Sequence, residues 1–170
     1  MFWFILYNGI VLPVLVCVVF SASIFSPKIR EGLKGRFQTY KRIKLFLEKK
    51  HTINDIYWFH AASLGEFYQI KPIIEGMKKM KKENVIVISF SSPSGLNYAS
   101  SDAIDLKFYL PFDFPWTIQK VLTLVKPKKV IFATYDIWPN LVWFCKTKNI
   151  HLNVTSAKIG HHSIKYLSLI

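Results

Sequence analysis

Cysteine is scarce in this chain, and its scarcity excludes two classes of protein. The 170 residues include only two cysteines, Cys17 and Cys145, and the first of them lies in an apolar leader. This pair cannot form a disulfide framework, and its spacing fits no metal site. We therefore expect no metal and no cofactor, and a reducing compartment is the simpler interpretation.

Acidic residues are also few, which raises the question of an anionic partner. The chain has 10 Asp and Glu against 23 Lys and Arg, a formal net charge of +13. Nucleic acid is one candidate, but the excess lies beside the leader and no RNP, KH or zinc-finger pattern occurs. The glycine-rich motifs of dinucleotide and P-loop sites are absent as well. We expect no nucleic acid among the partners.

The first 25 residues contain no charged side chain. As a helix with a rise of about 1.5 Å per residue they would span roughly 37 Å, enough for a hydrocarbon core of about 30 Å. A signal peptide cleaved near Ser21-Ala22-Ser23 is the alternative, but no basic residue precedes the apolar run as a signal requires. We predict an uncleaved transmembrane anchor over residues 1–25.

Residues 26–53 are strongly basic and set the predicted orientation. Between Lys28 and Lys50, nine basic and two acidic residues leave a net charge of +7. The positive-inside rule places this segment and everything after it in the cytoplasm. Apolar residues recur at steps of three or four, which predicts an amphipathic helix: Leu33, Phe37, Tyr40, Ile43 and Leu47. This helix either lies on anionic lipid headgroups or packs on the following domain.

From residue 54 onward, short apolar runs alternate with helical stripes. The apolar runs fall at 56–60, 85–90, 106–110, 130–133 and 152–154. Strands that are apolar at every position, with amphipathic helices between them, indicate a parallel sheet covered on both faces. We predict a Rossmann-like α/β domain of about five strands over residues 54–170, with its core beginning after Lys50.

Four loops at the predicted carboxyl ends of the strands carry small and polar residues. They comprise residues 60–66, 91–95, 134–140 and 155–160. Ligands of such sheets bind outside these strand ends, where the loops lead into helix N-termini. Small residues let a ligand approach backbone amides, although any strand-to-helix turn uses the same residue types.

These loops, in this order behind an apolar leader, resemble the N-terminal half of the bacterial 3-deoxy-D-manno-octulosonic acid (Kdo) transferases. The more specific motifs are His60…Ser63-x-Gly65-Glu66 and Trp138-Pro139-Asn140, and the weaker ones are Ser94-Gly95 and Pro111-x-Asp113. The resemblance implies a GT-B glycosyltransferase of the cell inner membrane. In that family a first Rossmann-like domain binds a lipid A precursor and a second binds the donor CMP-Kdo.

The resemblance also implies what these 170 residues would do. They would form the N-terminal half of a membrane-anchored, single-pass enzyme of lipopolysaccharide biosynthesis, without the C-terminal donor-binding domain and inactive alone. The alternative is a non-catalytic, membrane-tethered module that binds lipid or a partner. Besides the lipid A precursor and CMP-Kdo, the expected partners are anionic lipids of the inner membrane.

Candidate site residues follow from the matching motifs. The resemblance makes Glu66 the catalytic base, whereas a helix N-terminal Glu can also merely complement the helix dipole. It implies acceptor-binding roles for nine further residues: His60, Ser63, Gly65, Ser94, Gly95, Asp136, Trp138, Asn140 and Lys158. Without the resemblance, His60 and Trp138 are more typical of a packed core, and Lys158 is as typical of a solvated surface.

Overall fold

A parallel five-stranded sheet forms the centre of the molecule, in a computed structural model that describes residues 2–50 and 55–156. The strands are β1 (Ile56–Ala61), β2 (Val85–Phe90), β3 (Leu106–Tyr109), β4 (Lys129–Phe132) and β5 (His151–Val154). Their order is β3-β2-β1-β4-β5, and every pairing is parallel. The α/β fold predicted from the alternating apolar runs is confirmed.

Helices precede the sheet and cover both of its faces. The leader helix consists of α1 (Phe2–Leu6), a π-helical turn (Tyr7–Val11) and α2 (Leu12–Phe25). The domain helices are α3 (Pro27–Lys49), α4 (Leu64–Met80), α5 (Pro93–Tyr98), α6 (Pro115–Val125) and α7 (Pro139–Thr147).

Burial on both faces explains why the strands are apolar at every position. Trp58 and Phe59 are neighbours in β1 and are both fully buried, because successive side chains point to opposite faces of a sheet. Trp58 belongs to a core layer formed with α3, α6 and α7, and Phe59 belongs to a layer formed with α4 and α5. The fold is therefore a three-layer sandwich with the sheet in the middle.

Helix α3 is part of this sandwich, which corrects the expectation that the core begins after Lys50. Ile43 is 1% exposed and lies in the core layer of Trp58. Tyr40 and Leu47 pack against the same layer, whereas Phe37 of the predicted stripe is mostly exposed. Of the two interpretations of the stripe, packing on the domain therefore describes most of its residues.

A glycine lets α3 approach the edge of the sheet. A Cβ atom at Gly35 would collide with the ring of Tyr109 in β3. At the same contact, the Thr39 hydroxyl donates a hydrogen bond of 2.8 Å to the carbonyl oxygen of Tyr109. The helix is thus fitted to β3 by a missing side chain and by a buried hydrogen bond.

The leader helix contrasts with the domain helices in its exposure. Phe2–Phe25 has a mean hydropathy of 2.3 in its most apolar stretch, of which 6% is buried. Among the described residues it is the one helix long and apolar enough to cross a membrane. Core helices and signal sequences share such length and composition, but a core helix would be mostly buried.

Candidate active site at the carboxyl edge of the sheet

The sheet reverses its strand order at β1, and the reversal creates a crevice at the carboxyl edge. Because β2 and β4 flank β1, the loops after β1 and β4 lead to helices on opposite faces. Ligands of open α/β sheets bind at such a switch point. The loops of residues 60–66 and 134–140, two of the four predicted from the sequence, border this crevice.

A buried histidine links the two loops across the crevice. His60, in β1, donates a hydrogen bond from Nε2 to Oδ2 of Asp136 over 2.9 Å. Ser91, which follows β2, donates its hydroxyl to the same oxygen over 2.6 Å. Three neighbouring strands, β2, β1 and β4, thus each contribute a residue at or just past their carboxyl ends to this one carboxylate contact. We refer to His60, Ser89, Ser91 and Asp136 as the Asp136 cluster.

The orientation of the His60 ring is fixed from both sides. A carboxylate only accepts hydrogen bonds, so Nε2 carries a proton. On the other side, Nδ1 lies 2.9 Å from the hydroxyl oxygen of Ser89 and 3.1 Å from the Ser89 carbonyl oxygen. A neutral ring accepts from the hydroxyl, and a protonated ring donates to the carbonyl. Trp58 donates to the Ser89 hydroxyl oxygen over 2.8 Å, and the Ser89 hydroxyl hydrogen can be donated to Nδ1 or to the Phe59 carbonyl oxygen, 3.5 Å away.

The Asp136 carboxylate remains ionised and accessible. Burial would raise the pKa of this carboxyl, but hydrogen bonds from His60 and Ser91 outweigh burial and hold the pKa below its ordinary value of 3.8. The Asp136 side chain is 29% exposed, whereas that of His60 is 1% exposed. The cluster therefore presents a charged oxygen acceptor on a buried support, suited to a ligand hydroxyl or amine.

Glu66 lies in the first turn of α4 and caps the helix in a variant of the capping box, in which its carboxylate bonds to the residue before the N-cap. The Ser63 hydroxyl accepts from the Glu66 N–H over 3.4 Å, and Oε2 of Glu66 accepts from the Ala62 N–H over 2.6 Å. This is the pattern expected of a residue that stabilises a helix start. Only the bond from the Ala62 N–H occupies Oε2, and the Glu66 side chain is only half-buried. Capping and acceptance of a proton from a ligand are therefore compatible at this residue.

Gly65, beside Glu66, is not required by the fold. Its φ is not positive, and a Cβ there would make only an ordinary contact with Ser63 at 3.8 Å. Gly95 differs, since a Cβ at that position of α5 would collide with the ring of Phe90. Packing thus explains Gly95, whereas Gly65 leaves an open backbone surface next to a carboxylate.

The loop after β2 carries the predicted pair Ser94 and Gly95. Ser92 caps α5 by accepting from the Gly95 N–H over 3.4 Å, and its hydroxyl lies 3.0 Å from that of exposed Ser94. Of the predicted pair, Ser94 therefore offers an exposed hydroxyl, whereas Gly95 is buried.

A second carboxylate near this edge, Asp113, is buried and caps α7. It is 2% exposed and accepts from the N–H groups of Asn140 and Leu141 over 2.9 and 3.1 Å. These donors have no partner inside the helix, and Trp138 at the N-cap provides no side-chain bond. Burial raises the pKa of Asp113 to about 6, although its hydrogen bonds from Asn140, Tyr7 and Leu141 favour the charged form.

Asp113 and Asn140 also bind the leader helix. The Tyr7 hydroxyl donates to Oδ2 of Asp113 over 2.9 Å. The side-chain amides of Asn8 and Asn140 exchange two hydrogen bonds, of 3.1 and 2.7 Å. The Asn140 amide nitrogen also donates to the Asp113 carbonyl oxygen. We refer to Tyr7, Asn8, Asp113 and Asn140 as the leader clamp.

Arg36 of α3 lies between the Asp136 cluster and the leader helix. Its Nη1 donates to the Leu110 carbonyl oxygen over 2.7 Å, and its Nη2 donates to the Ser91 carbonyl oxygen over 3.2 Å. Burial lowers the pKa of Arg36, and the nearby charge of Asp136 works against that effect. A cavity of about 70 Å³ adjoins the guanidinium and is lined by Leu12, Leu15, Val16, Val19, Phe20, Phe112, Asp113 and Trp138.

The structure brings together part of the predicted site. His60 and Asp136 are bonded to each other, and Ser63, Gly65 and Glu66 share the turn after β1. The others lie apart from that turn: Asn140 is fully buried in the leader clamp and Trp138 lines the cavity. Lys158 lies outside the described residues.

Four residues of this region were not predicted from the sequence: Tyr7, Asn8, Ser89 and Arg36. The polar interruption of the apolar leader was a signal for the first two residues. No local signal distinguishes Arg36 from the eight other basic residues of its segment, because its partners lie 55 and 74 residues away along the chain.

Comparison with known proteins gives one consistent family. A family model described as 3-deoxy-D-manno-octulosonic-acid transferase (kdotransferase) matches residues 31–169, which includes most of α3. A 3-deoxy-D-manno-octulosonic acid transferase of Aquifex aeolicus is 33% identical over 118 residues, or 67% of this chain and 33% of the relative. A protein of that name from Haemophilus influenzae is 26% identical over 166 residues, or 95% of this chain and 38% of the relative.

A relative of the same name from Chlamydia trachomatis is 25% identical over 163 residues, or 92% of this chain and 37% of the relative. The chain thus spans about a third of the length of the curated relatives it matches.

Proposed function

This chain belongs to the 3-deoxy-D-manno-octulosonic-acid transferase family, and on that premise we propose that it forms the acceptor-side half of a GT-B glycosyltransferase. The proposed reaction transfers Kdo from CMP-Kdo to a lipid A precursor in lipopolysaccharide biosynthesis. The observation that carries the proposal is the turn after β1, where Gly65 leaves the backbone open beside the Glu66 carboxylate at the switch point of the sheet.

In the proposed mechanism Glu66 is the general base. The acceptor hydroxyl oxygen forms a bond to the anomeric carbon of Kdo while the bond from that carbon to the CMP phosphate oxygen breaks. The hydroxyl proton passes to Glu66, which offsets the positive charge that develops on the attacking oxygen. The Ala62 N–H holds one Glu66 oxygen in place, so the carboxylate is oriented before the acceptor arrives.

We assign the Asp136 cluster to acceptor binding. Asp136 accepts hydrogen bonds from acceptor hydroxyls, and His60 acts through Asp136 as a positioning residue. Ser63, Gly65, Ser94 and Gly95 form the small-residue surface around the acceptor. The remaining predicted residues border this surface on the side of the leader helix or follow β5: Trp138, Asn140 and Lys158.

Donor binding is assigned to a second domain of the kind the family resemblance implies. On this proposal the 170 residues alone bind CMP-Kdo no better than background and transfer no Kdo. Purified chain, free of any host transferase, would be incubated with CMP-Kdo and a lipid A precursor. Turnover in that assay would contradict this part of the proposal.

We place the protein at the cytoplasmic face of the cell inner membrane. The uncharged leader supplies apolar contact with lipid, and the net charge of +7 between Lys28 and Lys50 attracts anionic headgroups. A lipid acceptor resides in that membrane, so attachment brings the site and its substrate to one surface.

The test of the catalytic role uses this chain joined to the remaining part of the Aquifex aeolicus relative, once that fusion is active. Glu66→Gln keeps the capping acceptor but cannot take a proton, so turnover should fall by about 10²–10⁴-fold. Acceptor affinity should change far less, because an interaction made only in the transition state is lost. Glu75→Gln, on the same helix and exposed, is the matched control and should keep normal turnover.

A second pair of variants separates catalysis from capping. Glu66→Ala removes the cap and should cost about 0.5–2 kcal/mol of unfolding free energy, whereas Glu66→Gln should cost less than about 1 kcal/mol. Near-normal turnover in Glu66→Gln, with a lower melting temperature in Glu66→Ala, would assign Glu66 to the helix alone. The non-catalytic, membrane-tethered binding module would then be the better description.

A further inference from the structure

The leader helix contacts the α/β domain near its start and again farther along. Near its start, Tyr7 and Asn8 bond to the domain through the leader clamp, and the Phe4 ring lies 5.3 Å from that of Trp143. Farther along, Leu12, Val19 and Phe20 line one cavity together with Phe112 and Trp138 of the domain. The helix therefore lies along the domain and does not project away from it.

These contacts conflict with a single crossing of the bilayer. At about 1.5 Å per residue, the 17 steps from Asn8 to Phe25 cover about 26 Å, against a hydrocarbon core of about 30 Å. A spanning helix with Phe25 at the cytoplasmic surface would place Asn8 near the opposite surface. Its partner Asn140 would then lie there too, and the charged α/β domain would have to enter the bilayer. The leader clamp and a single crossing exclude each other.

Polar side chains in an apolar helix point to the same conclusion. An amide such as that of Asn8 is costly in lipid unless it faces a protein partner. Both polar atoms of the Asn8 amide bond to the Asn140 amide, and the Tyr7 hydroxyl bonds to Asp113. The helix thus turns its polar groups to the domain, at the π-helical turn, a type of irregularity that is frequent at functional sites.

We propose that the leader helix lies in the plane of the cytoplasmic leaflet, clamped to the domain on one side and embedded in anionic lipid on the other. Apolar side chains that are more than half exposed supply the lipid-facing side: Phe2, Trp3, Ile5, Ile10, Val14 and Val18. Exposed Lys28, Arg30 and Lys34 follow directly and complement anionic headgroups. The bilayer is the one occupant that suits an uncharged helix face with a basic border.

This placement turns the carboxyl edge of the sheet toward the lipid surface. The clamp residues lie at that edge, Asp113 in the loop after β3 and Asn140 in the first turn of α7, and the Asp136 cluster lies at the same edge. A lipid headgroup in the leaflet is then within reach of the crevice without leaving the membrane. This proposal rests on the proposed function only for the membrane location. Its tests do not measure turnover, so the placement of the leader helix and the catalytic role of Glu66 can be refuted independently.

The first test is a cross-link in membrane vesicles. Phe4→Cys and Trp143→Cys are combined in the full chain with Cys17→Ser and Cys145→Ala, and the vesicles are treated with a short, membrane-permeant bis-maleimide. We expect a cross-linked product by gel mobility, because the two rings that the cysteines replace are in contact. Val18→Cys, on the exposed side, paired with Trp143→Cys is the matched control and should give no product. Absence of the Phe4–Trp143 product would overturn the proposal.

The second test is accessibility from outside the membrane. A single cysteine, Phe2→Cys, is treated with a membrane-impermeant maleimide in spheroplasts and in inverted vesicles. Labelling should be absent in spheroplasts, and in inverted vesicles it should appear once mild detergent is added, because the proposal embeds Phe2 in the cytoplasmic leaflet. Phe25→Cys, at the other end of the helix, is the control and should be labelled in inverted vesicles without detergent. Labelling of Phe2→Cys in intact spheroplasts would establish a single crossing and overturn the proposal.

The third test removes the clamp while leaving the cysteine pair in place. Tyr7→Phe combined with Asn8→Leu should lower the cross-link yield at least threefold, whereas Ser21→Leu on an exposed part of the same helix should leave it unchanged. An equal yield in both variants would show that apolar contact alone holds the helix, and the clamp would be refuted.

Discussion

Two carboxylates near the same edge of the sheet, Asp136 and Asp113, are held in opposite ways. Asp136 accepts hydrogen bonds from side chains that follow or belong to other strands, and its own side chain keeps 29% of its surface exposed. Asp113 accepts from two backbone N–H groups at the start of α7 and from Tyr7, and it is almost fully buried.

The difference separates a residue available to a ligand from a residue that joins parts of the molecule. In Asp136, hydrogen bonds outweigh burial and the pKa lies below 3.8; in Asp113, burial outweighs hydrogen bonds and the pKa rises to about 6. A charged, partly exposed acceptor can bind substrate hydroxyls. A buried acceptor such as Asp113, whose hydrogen bonds come from Tyr7 and from the start of α7, instead joins the leader helix to the domain.

Between the two carboxylates, Asp136→Asn should have the larger effect on turnover in the active fusion. Both hydrogen bonds to Asp136 end on the same oxygen, so the Asn carbonyl oxygen can accept both and the cluster keeps its shape. Only the charge offered to the acceptor is lost, and turnover should fall by about 10²-fold. Asp102→Asn, at an exposed turn, is the matched control. Full turnover in Asp136→Asn would remove the distinction drawn between the two carboxylates.

Asp113→Ala should cause the largest loss of stability. It leaves the N–H groups of Asn140 and Leu141 and the Tyr7 hydroxyl without their acceptor, and each lost partner costs about 1–3 kcal/mol in a buried site. We expect the free energy of unfolding in mild detergent to fall by at least about 3 kcal/mol. Asp102→Ala should change it by less than about 0.5 kcal/mol. A small loss in Asp113→Ala would show that water replaces the carboxylate.

The two carboxylates should also give stability opposite dependences on pH. The folded pKa of Asp113 is about 6, above its ordinary 3.8, so between these values the folded state holds a proton that the unfolded state releases. Its contribution is therefore full below about pH 4 and is lost as pH rises to about 6, a change of at most about 3 kcal/mol. Asp136, with a lowered pKa, instead loses its contribution as pH falls below 3.8.

The measurement for Asp113 is the difference in unfolding free energy between the wild type and Asp113→Asn from pH 4 to pH 7. Since the other carboxyl groups are common to both chains, the difference isolates one group. A difference that stays constant over this range would show that Asp113 does not titrate there.

The smallest effect should come from Tyr7→Phe, which removes one hydrogen bond and no ring contact. The cost should be about 1–2 kcal/mol, because the bond ends on a carboxylate but the residue is only half-buried. Tyr98→Phe, at an exposed position of α5, is the control and should have no measurable effect. Equal melting temperatures for the two variants would mean that the leader clamp relies on the amide pair alone.

Much of the domain could be predicted because its signals are local. A strand that is apolar at every position, or a helix whose apolar residues recur every three to four positions, can be identified within a dozen residues of sequence. The loops after β1 and β4 could be placed at one edge by the same argument, since parallel strands end on the same side. The expectation that the core begins after Lys50 was wrong. The apolar stripe of a helix does not indicate which surface it packs against, and only the structure shows Ile43 of α3 packed in the core beside the sheet.

The sequence by itself determined the layers, the apolar leader and the motifs that mark the family. Only the tertiary structure decided how the polar residues of those motifs are used. Asn140 and Asp136 stand four positions apart in one signature loop, yet one is buried against the leader helix and the other faces the crevice. The physical reason is that hydrogen bonds between residues 76 and 132 positions apart depend on strand order and helix placement, which local periodicity does not encode.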